Sequence, residues 1–392
     1  MLALPHVPHP GHAHPRERTR DGLALRVEDL RLGHHVHHDL CHFISVRRTP
    51  LPPRAAVREA PRMGRWLVLG GTRFLSRAVA ATAVARGHEV VCAARGTSGA
   101  VPDGAKLLVV DRDAPGALEP LRDEAFDAVV DVARMALPWV RSALVAVGAN
   151  TAHWTFVSSI SVYADSSTPG HGVGDTLVEP RTEETITDDE AAYGPVKVAS
   201  ETAVREVAGE RALIVRAGLI CGPDDLTDRF GYWPNRFARG GRALTPGDPG
   251  QPAQIVDVRD LADWIVRSGE EHLGGTFDAS GPRSTLGAVL DEVADAVGAA
   301  DLERVPAAPE ALTAAGVQPW AGPRSLPLWL PASHAGMLAR DTAPAAAAGL
   351  HCRPIADTAR AALAHERTLG PDRPRRAGVT PAEESEILRR FS

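Results

Sequence analysis

A strand, a glycine-containing turn, a helix and a second strand follow one another without interruption from residue 65 onward. Residues 66–69 (Trp-Leu-Val-Leu) form an apolar run of strand length, and residues 70–76 (Gly-Gly-Thr-Arg-Phe-Leu-Ser) follow it directly. Residues 77–86 have helical spacing, Gly87 stands where a helix C-cap glycine belongs, and residues 88–94 have the character of a second strand. This order predicts a βαβ unit. In such a unit the glycine turn and the helix N-terminus can approach a pyrophosphate.

The same alternation continues along the chain and extends the unit into a larger sheet. Residues 107–111 and 126–131 predict a third and a fourth strand, each followed by a helical pattern. Residues 154–163 predict a fifth strand that runs into a hydroxyl-rich turn, and residues 254–258 predict a strand that returns to the sheet. The predicted fold class is therefore α/β, with a Rossmann-like doubly wound parallel sheet and a smaller C-terminal substrate lobe.

Changes in composition divide the chain into four segments. Residues 1–62 hold nine of the 16 histidines and no sustained periodicity. We interpret them as a disordered or spurious N-terminal extension, with a metal-binding histidine tract as the alternative. Residues 63–282 are expected to form the dinucleotide-binding domain, with 223–253 contributing to the substrate lobe. Residues 283–370 are expected to form the lobe itself, and residues 371–392 a C-terminal tail with a short helix.

Composition and charge exclude several classes of partner. The net charge is −6, so there is no electrostatic reason to expect nucleic acid or a membrane surface as the main partner. No apolar run approaches about 18 residues and no secretory signal is evident, which leaves the cytoplasm as the expected location. The four cysteines form no CxxC pair, so no metal site is predicted. We expect a monomer or a homodimer that acts on a small molecule.

Two rare residue types meet in one short segment. The chain has three tyrosines and two lysines, and Tyr193 and Lys197 stand four residues apart. On a helix these positions share one face, so the phenol and the ammonium can serve one site. The alternative is a surface helix with an exposed tyrosine and a solvated lysine. Ser159 and two neighbouring serines at the end of the fifth predicted strand lie where sheets of this kind bind ligands.

Arg95 bears on cofactor choice because it follows the second predicted strand. An NAD site prefers an acidic residue there for the ribose 2′-hydroxyl, whereas this chain has Ala-Ala-Arg-Gly at residues 93–96. An arginine can bind the 2′-phosphate of NADP, which favours NADP over NAD as the cofactor. A solvated loop arginine is the alternative.

Residues 224–250 are expected to be rich in loops and to carry two groups of side chains. Four aromatic residues either line a pocket or pack domains together: Phe230, Tyr232, Trp233 and Phe237. Four basic residues form a candidate anion-binding group: Arg229, Arg236, Arg239 and Arg242.

Several motifs taken together resemble one family. The motifs are GGTRFLS at residues 70–76, VSSISVY at 157–163, YGPVK at 193–197 and VRAGLICGP at 215–223. Their order resembles the extended short-chain dehydrogenase/reductases, the NAD-dependent epimerase/dehydratase group. The GGTRF form is similar to a divergent reductase branch of that group, in which arginine replaces the middle glycine.

The resemblance implies a role for each matching residue. Ser159, Tyr193 and Lys197 match the catalytic serine, tyrosine and lysine, and Asp111 matches the acid at the adenine ring. With Arg95 included, the expected cofactor contacts form one set: Gly70, Gly71, Thr72, Arg73, Phe74, Leu75, Arg95, Asp111 and Lys197. Ser76 departs from the pattern, because glycine is expected there for close packing of the helix on the cofactor.

These residues would support proton and hydride transfer. An ordinary tyrosine has a pKa of about 10, and a nearby ammonium lowers that pKa toward the working range. Tyr193 would exchange a proton with an alcohol or carbonyl, Ser159 would hold the same oxygen, and NADP or NAD would carry the hydride. The expected function is an NAD(P)-dependent reductase, epimerase or dehydratase. The alternative is a non-catalytic NAD(P)-binding regulator, or an RNA-binding or structural protein, on the same fold.

Overall fold

The computed structural model of the protein describes residues 63–183, 186, 189–370 and 373–391. The strands are β1 (Arg65–Leu69), β2 (Glu89–Ala94), β3 (Lys106–Val109), β4 (Phe126–Asp131), β5 (Thr151–Ser159), β6 (Ala212–Ala217), β7 (Leu219–Cys221), β8 (Arg242–Pro246), β9 (Pro252–Ala253), β10 (Ile255–Asp257), β11 (Gly275–Ala279), β12 (Ser284–Thr285), β13 (Glu303–Ala307), β14 (Gln318–Trp320), β15 (Gly322–Pro323), β16 (Ser325–Pro327) and β17 (Ala377–Gly378). The α-helices are α1 (Phe74–Ala85), α2 (Leu137–Val147), α3 (Tyr193–Ala208), α4 (Tyr232–Ala238), α5 (Val258–Glu270), α6 (Leu286–Val297), α7 (Pro309–Ala314), α8 (Ala343–Ala347), α9 (Ile355–Leu369) and α10 (Pro381–Leu388).

A seven-stranded parallel sheet has the strand order β11-β6-β5-β4-β1-β2-β3. The order reverses at β1, where β4 and β2 lie on opposite sides of it. In a parallel α/β sheet, ligands bind beyond the carboxyl ends of the strands at such a reversal. The prediction of an α/β, Rossmann-like doubly wound sheet is confirmed.

Apolar side chains on both faces of the sheet bury it between two helical layers. On β1, Trp66 and Val68 pack with α1 and α5, whereas Leu67 and Leu69 pack with α2 and α3. Successive side chains of a strand point to opposite faces, so a continuous apolar run such as residues 66–69 suits a strand that is covered on both sides.

The last strand of the sheet is β11, and the prediction that residues 254–258 return to the sheet is wrong. Strand β10 pairs in parallel with β7, outside the large sheet. Asp257, at the end of β10, accepts a hydrogen bond from the backbone N–H of Arg259 and so begins α5. The chain reaches the edge of the sheet after that helix, when β11 pairs with β6. Residues 254–258 have a strand pattern, but pairing between distant strands decides which sheet they join.

The four aromatic residues of segment 224–250 belong to a separate hydrophobic core. Tyr232, Trp233 and Phe237 lie on α4, where loop had been expected, and they are buried together with Phe230. This core also takes in apolar residues of α6, α9 and α10. Of the two alternatives given for these four aromatic side chains, packing in a hydrophobic core is therefore the one that the structure supports.

Residues 373–391 pack against the part of the chain that follows the large sheet. Strand β17 pairs with β15, and Ile387 and Leu388 of α10 are buried in the core around α4. On the same helix, Glu384 accepts a hydrogen bond from Arg236 at 2.6 Å, and both side chains are buried. None of the described helices is both long and apolar enough to cross a membrane.

Candidate active site

A cavity of about 890 Å³ opens at the carboxyl ends of β1, β4, β5 and β6. Its wall includes the start of α1, the end of β5 and the first turn of α3, and segment 320–323 and residues 375 and 376 close the other side. The residues predicted from sequence that line it are Arg73, Phe74, Leu75, Ser159, Tyr193 and Lys197. The fold thus brings the Ser-Tyr-Lys set and part of the predicted cofactor turn to one cavity.

Ser159 ends β5 and begins a 3₁₀ turn over Ile160–Val162. Its Oγ accepts a hydrogen bond from the backbone N–H of Ser161 at 3.1 Å, as an N-cap residue does. The strand predicted over residues 154–163 therefore ends at Ser159. This turn holds the hydroxyl at the cavity wall, which Tyr193 also lines, and the hydroxyl donates to Oγ of Ser161 at 3.1 Å.

Tyr193 is the first residue of α3, and Lys197 follows one turn later. The helix approaches the turn after β5 so closely that a Cβ at Gly194 would lie 2.3 Å from the carbonyl oxygen of Ser161. Glycine at position 194 is therefore what allows Tyr193 to reach Ser159. This close approach gives a physical reason for the Tyr-Gly pair in the motif.

Lys197 is buried, with 3 % of its surface exposed. Its Nζ donates to the carbonyl oxygens of Ala133, at 2.6 Å, and of Val157, at 2.7 Å. The same nitrogen lies 5.8 Å from the centre of the Tyr193 ring. The alternative of a surface helix with a solvated lysine therefore does not apply to Lys197. An ammonium has three donors, so one of them is available for a ligand in the cavity.

The electrostatic surroundings of the pair differ from the sequence expectation. Burial raises the pKa of Tyr193, while a hydrogen bond with Ser159 and the charges of Arg134 and Arg229 lower it. Burial lowers the pKa of Lys197 to about 7, against the opposing charges of Asp131 and Glu201. The expectation of a lowered tyrosine pKa is therefore wrong for this structure: burial dominates and the pKa of Tyr193 is raised overall, although Arg134 and Arg229 add positive charge near the phenol.

Arg134 and Arg229 approach the tyrosine from different parts of the chain. The guanidinium of Arg134 lies 5.5 Å from the centre of the Tyr193 ring and donates to Glu190 at 2.7 Å. Of the four arginines proposed as an anion-binding group, Arg229 lines the cavity, whereas Arg236 is buried against Glu384. Neither assignment follows from a local pattern. Arg134 was missed because no motif surrounds it.

The turn between β1 and α1 fits a dinucleotide pyrophosphate. Gly70 and Gly71 adopt φ angles of +131° and +98°, and a Cβ at Gly71 would lie 2.4 Å from Sγ of Cys92. Arg73 stands at the N-cap of α1, but its Nε donates to the carbonyl of Ser98, so the first amides of α1 remain available to an anion. Ser76, where glycine was expected, donates from Oγ to the carbonyl of Arg73. Its hydroxyl is thereby satisfied within the first turn of the helix.

The remaining predicted cofactor residues lie along the same edge of the sheet, outside the cavity wall. Arg95 is exposed directly after β2, and Asp111 is exposed two residues after β3, where it accepts a hydrogen bond from the N–H of Asp113. Thr72 is half-buried in the turn. No group of three potential metal ligands occurs in the described parts of the chain, and the histidine cluster of the first 62 residues lies outside them.

The sequence profile of the NAD-dependent epimerase/dehydratase family matches residues 66–277, which is more than half of the chain. The chain belongs to this family. The resemblance found from the motifs is thus confirmed, and the protein is an NAD(P)-dependent enzyme of the extended short-chain dehydrogenase type. Its place in the divergent reductase branch stays a prediction. A comparison with curated proteins finds no significant match.

Three solved structures illustrate the fold that this chain shares with other proteins. A putative epimerase from Burkholderia cenocepacia is 19 % identical, with a TM-score of 0.58 over 79 % of this chain and 100 % of that one. The Bordetella bronchiseptica enzyme WbmH, in complex with NAD+, is 17 % identical, with a TM-score of 0.57 over 79 % of this chain and 100 % of that one. The Bordetella bronchiseptica enzyme WbmG, in complex with NAD and UDP, is 16 % identical, with a TM-score of 0.57 over 79 % and 97 %.

Proposed function

We propose that this NAD(P)-dependent enzyme oxidises an alcohol or reduces a carbonyl on a small molecule, as a reductase or epimerase, with Tyr193 as its proton donor or acceptor. The observation that carries the proposal is that Ser159, Tyr193 and Lys197 line one cavity at the carboxyl edge of the sheet, with Nζ of Lys197 held by two backbone carbonyls 5.8 Å from the centre of the Tyr193 ring. We place the enzyme in the cytoplasm, acting alone or as a homodimer.

Each of the three side chains has a distinct task in this proposal. Ser159 donates a hydrogen bond to the substrate oxygen and holds it near the phenol of Tyr193. Tyr193 gives that oxygen a proton during reduction and takes the proton back during oxidation. Lys197 keeps a positive charge behind the phenol and offers its third donor to the ribose of the cofactor. When bound, the nicotinamide supplies or accepts the hydride.

Arg134 and Arg229 oppose the effect of burial on the protonation of Tyr193. Burial favours the neutral phenol, whereas Arg134 and Arg229 favour the phenolate. Burial outweighs these charges and the pKa of Tyr193 is raised overall, so the phenol is protonated at neutral pH and can donate its proton during reduction. To the ammonium expected from the sequence, the fold adds two arginines whose charges lower the pKa of the phenol.

We further propose NADP as the preferred cofactor. Arg95 follows β2 at the position where an acidic residue would bind the ribose of NAD, and its side chain is exposed to a ligand. The structural neighbours WbmH and WbmG were obtained with NAD, which supports a dinucleotide at this edge of the sheet. The preference for a 2′-phosphate depends on Arg95.

Cofactor titration of the full chain tests the proposal. We expect NADPH to bind at least about tenfold more tightly than NADH, as measured by fluorescence, because a charge-assisted contact to phosphate is worth about 1.5–3 kcal/mol. Arg95→Ala should remove the preference, and Arg360→Ala, an exposed arginine on α9, should retain it. Failure of the wild type to bind either dinucleotide would refute the proposed function.

Replacement of the phenol tests the catalytic role. With any alcohol or carbonyl that the wild type turns over, Tyr193→Phe should lower kcat about 100-fold or more, because general acid–base catalysis contributes about 10²–10⁴-fold. The variant should bind the dinucleotide with unchanged affinity. Full turnover by Tyr193→Phe would exclude Tyr193 as the proton donor.

A further inference from the structure

One part of the cavity wall is strongly cationic. The side chains of Arg134, Arg229, Arg375 and Arg376 line it, and Glu190 is the carboxylate in the described part of the wall. Glu190 is already paired with Arg134 at 2.7 Å. The protein as a whole carries a net charge of −6, so this local excess of positive charge runs against the average of the chain. Such an excess in a concave site attracts an anion.

Arg229 lines the cavity and forms no ion pair with a carboxylate of the described residues. Its Nε donates to Oγ1 of Thr227 at 3.2 Å, and its guanidinium lies 4.8 Å from the centre of the Trp320 ring. The nearby Asp225 accepts the N–H of Thr227; burial raises the pKa of its carboxyl group, and the charge of Arg229 opposes that shift. Stacking on an indole fixes the plane of a guanidinium, and a fixed plane suits bidentate binding of a carboxylate or phosphate.

The indole that supports Arg229 is itself held in an uncommon conformation. Trp320 has a φ of +69°, in the left-handed region that non-glycine residues rarely adopt, and its side chain is 3 % exposed. A bulky residue with such a backbone is strained, and strain of this kind concentrates at ligand sites. The two features, an unpaired guanidinium and a strained support, occur in the same wall.

The segment after α9 brings two further arginines to this wall. Arg375 donates to Glu366 at 2.6 Å, so its charge is compensated. Arg376 donates its backbone N–H to Asp228 at 2.7 Å, while its side chain is exposed and has no acidic partner within the described residues. Arg229 and Arg376 are therefore the cavity arginines whose positive charge is available to a ligand.

We propose that the substrate carries a compact anionic group, a carboxylate or a phosphate, which Arg229 binds close to the reacting carbon, with Arg376 as a second contact. This inference rests on the proposed function and names its substrate class. Arg229 and Tyr193 line the same cavity, so an anion bound to Arg229 shares that cavity with the group that exchanges the proton. The reacting alcohol or carbonyl is therefore expected a few bonds away from the anionic group.

Binding of matched anionic and neutral alcohols to the NADPH-loaded full chain tests this assignment. The probes are 3-hydroxybutyrate against butane-1,3-diol for a carboxylate, and glycerol 3-phosphate against glycerol for a phosphate, each to about 10 mM. We expect one of the anions to bind at least tenfold more tightly than its neutral partner, measured by calorimetry and by thermal shift. Which anion does so distinguishes the two sources of charge.

Substitutions then identify which arginine causes the preference for the anionic probe. Arg229→Met should reduce the preference for the anion about tenfold or more, and Arg376→Met, at an exposed position that should not affect folding, should reduce it by a smaller factor. Arg360→Met is the matched control and should leave it unchanged. UDP is included because the structural neighbour WbmG was crystallised with it.

Three results would overturn the proposal: neutral probes that bind as tightly as the anions, an anion preference that survives both substitutions, or tighter binding of UDP than of either compact anion. The chain is loaded with NADPH before the probes are added, so NADPH binding is measured separately. A failure to bind NADPH would count against the proposed function and not against the anion site.

Discussion

Lys197 carries an ammonium group into the interior, where its Nζ donates to two backbone carbonyls. Burial lowers its pKa from 10.5 to about 7. At a pH below 7 the group is protonated in both the folded and the unfolded chain, so the folded state bears the full cost of a buried charge. Above pH 10.5 it is neutral in both states and the cost is absent. Between these values the unfolded chain binds more protons, so the free energy of unfolding rises with pH.

We therefore predict a pH-dependent difference between the wild type and Lys197→Met. From about pH 7 to 10, the free energy of unfolding of the wild type should rise relative to that of the variant by up to about 1.4 kcal/mol per pH unit. Urea denaturation at a series of pH values measures it. The other lysine is the control, because Lys106 is exposed and pairs with Glu89 at the surface. Parallel curves for the wild type and Lys197→Met would contradict the shifted pKa.

At the scale of the element, the turn between β1 and α1 depends on glycine for two separate reasons. Gly71 has a φ of +98°, and a Cβ there would lie 2.4 Å from Sγ of Cys92 on the neighbouring strand. Gly87, after α1, has a similar φ of +92°, but among the described residues no atom lies within 4 Å of its Cβ position. Both glycines therefore have a positive φ that favours glycine, and at Gly71 there is in addition no room for a Cβ beside Cys92.

Alanine substitutions separate the two requirements. Gly87→Ala should cost about 1–2 kcal/mol, the penalty for a left-handed backbone. Gly71→Ala should cost a further 1–3 kcal/mol, roughly, because Cys92 must move. Urea denaturation compares the two variants under one condition. Equal losses of stability would show that the contact with Cys92 yields without cost. Gly71→Ala should also weaken binding of the dinucleotide, since the turn is displaced.

At the scale of the whole molecule, one buried ion pair joins distant parts of the chain. Arg236 of α4 and Glu384 of α10 are 148 residues apart in sequence, and both side chains are about 5 % exposed. The pair ties the last described helix to the core around α4. Removing one partner of a buried pair leaves an uncompensated charge in the interior.

Glu384→Ala should therefore lower the free energy of unfolding by about 3–5 kcal/mol. Glu386 lies on the same helix, but its side chain is 43 % exposed and pairs with Arg324 and Arg390, so Glu386→Ala should cost far less than Glu384→Ala. Thermal and urea unfolding of both variants measure the difference. If Glu384→Ala lowered the free energy of unfolding as little as Glu386→Ala does, the buried pair would contribute little to the stability of the fold.

Local patterns in the sequence determined much of the sheet and the central pair of the candidate site. Strands β1, β2 and β4 begin and end within one residue of their predicted bounds, because an apolar run next to a glycine turn restricts a chain locally. Tyr193 and Lys197 fall on one helix face for the same reason, since a spacing of four residues is a property of the helix alone. The family motifs then identified the class of enzyme.

Tertiary structure alone decided which strand closes the sheet and which charges surround the tyrosine. Strand β11 takes the place expected for residues 254–258, because pairing depends on where α5 returns the chain. Arg134, Arg229 and Arg376 reach one cavity from three distant segments; of these, Arg229 was one of four candidates named from the sequence, and no local pattern distinguished it from the other three. Burial, which sets the pKa of Lys197, likewise exists only when the fold has excluded water.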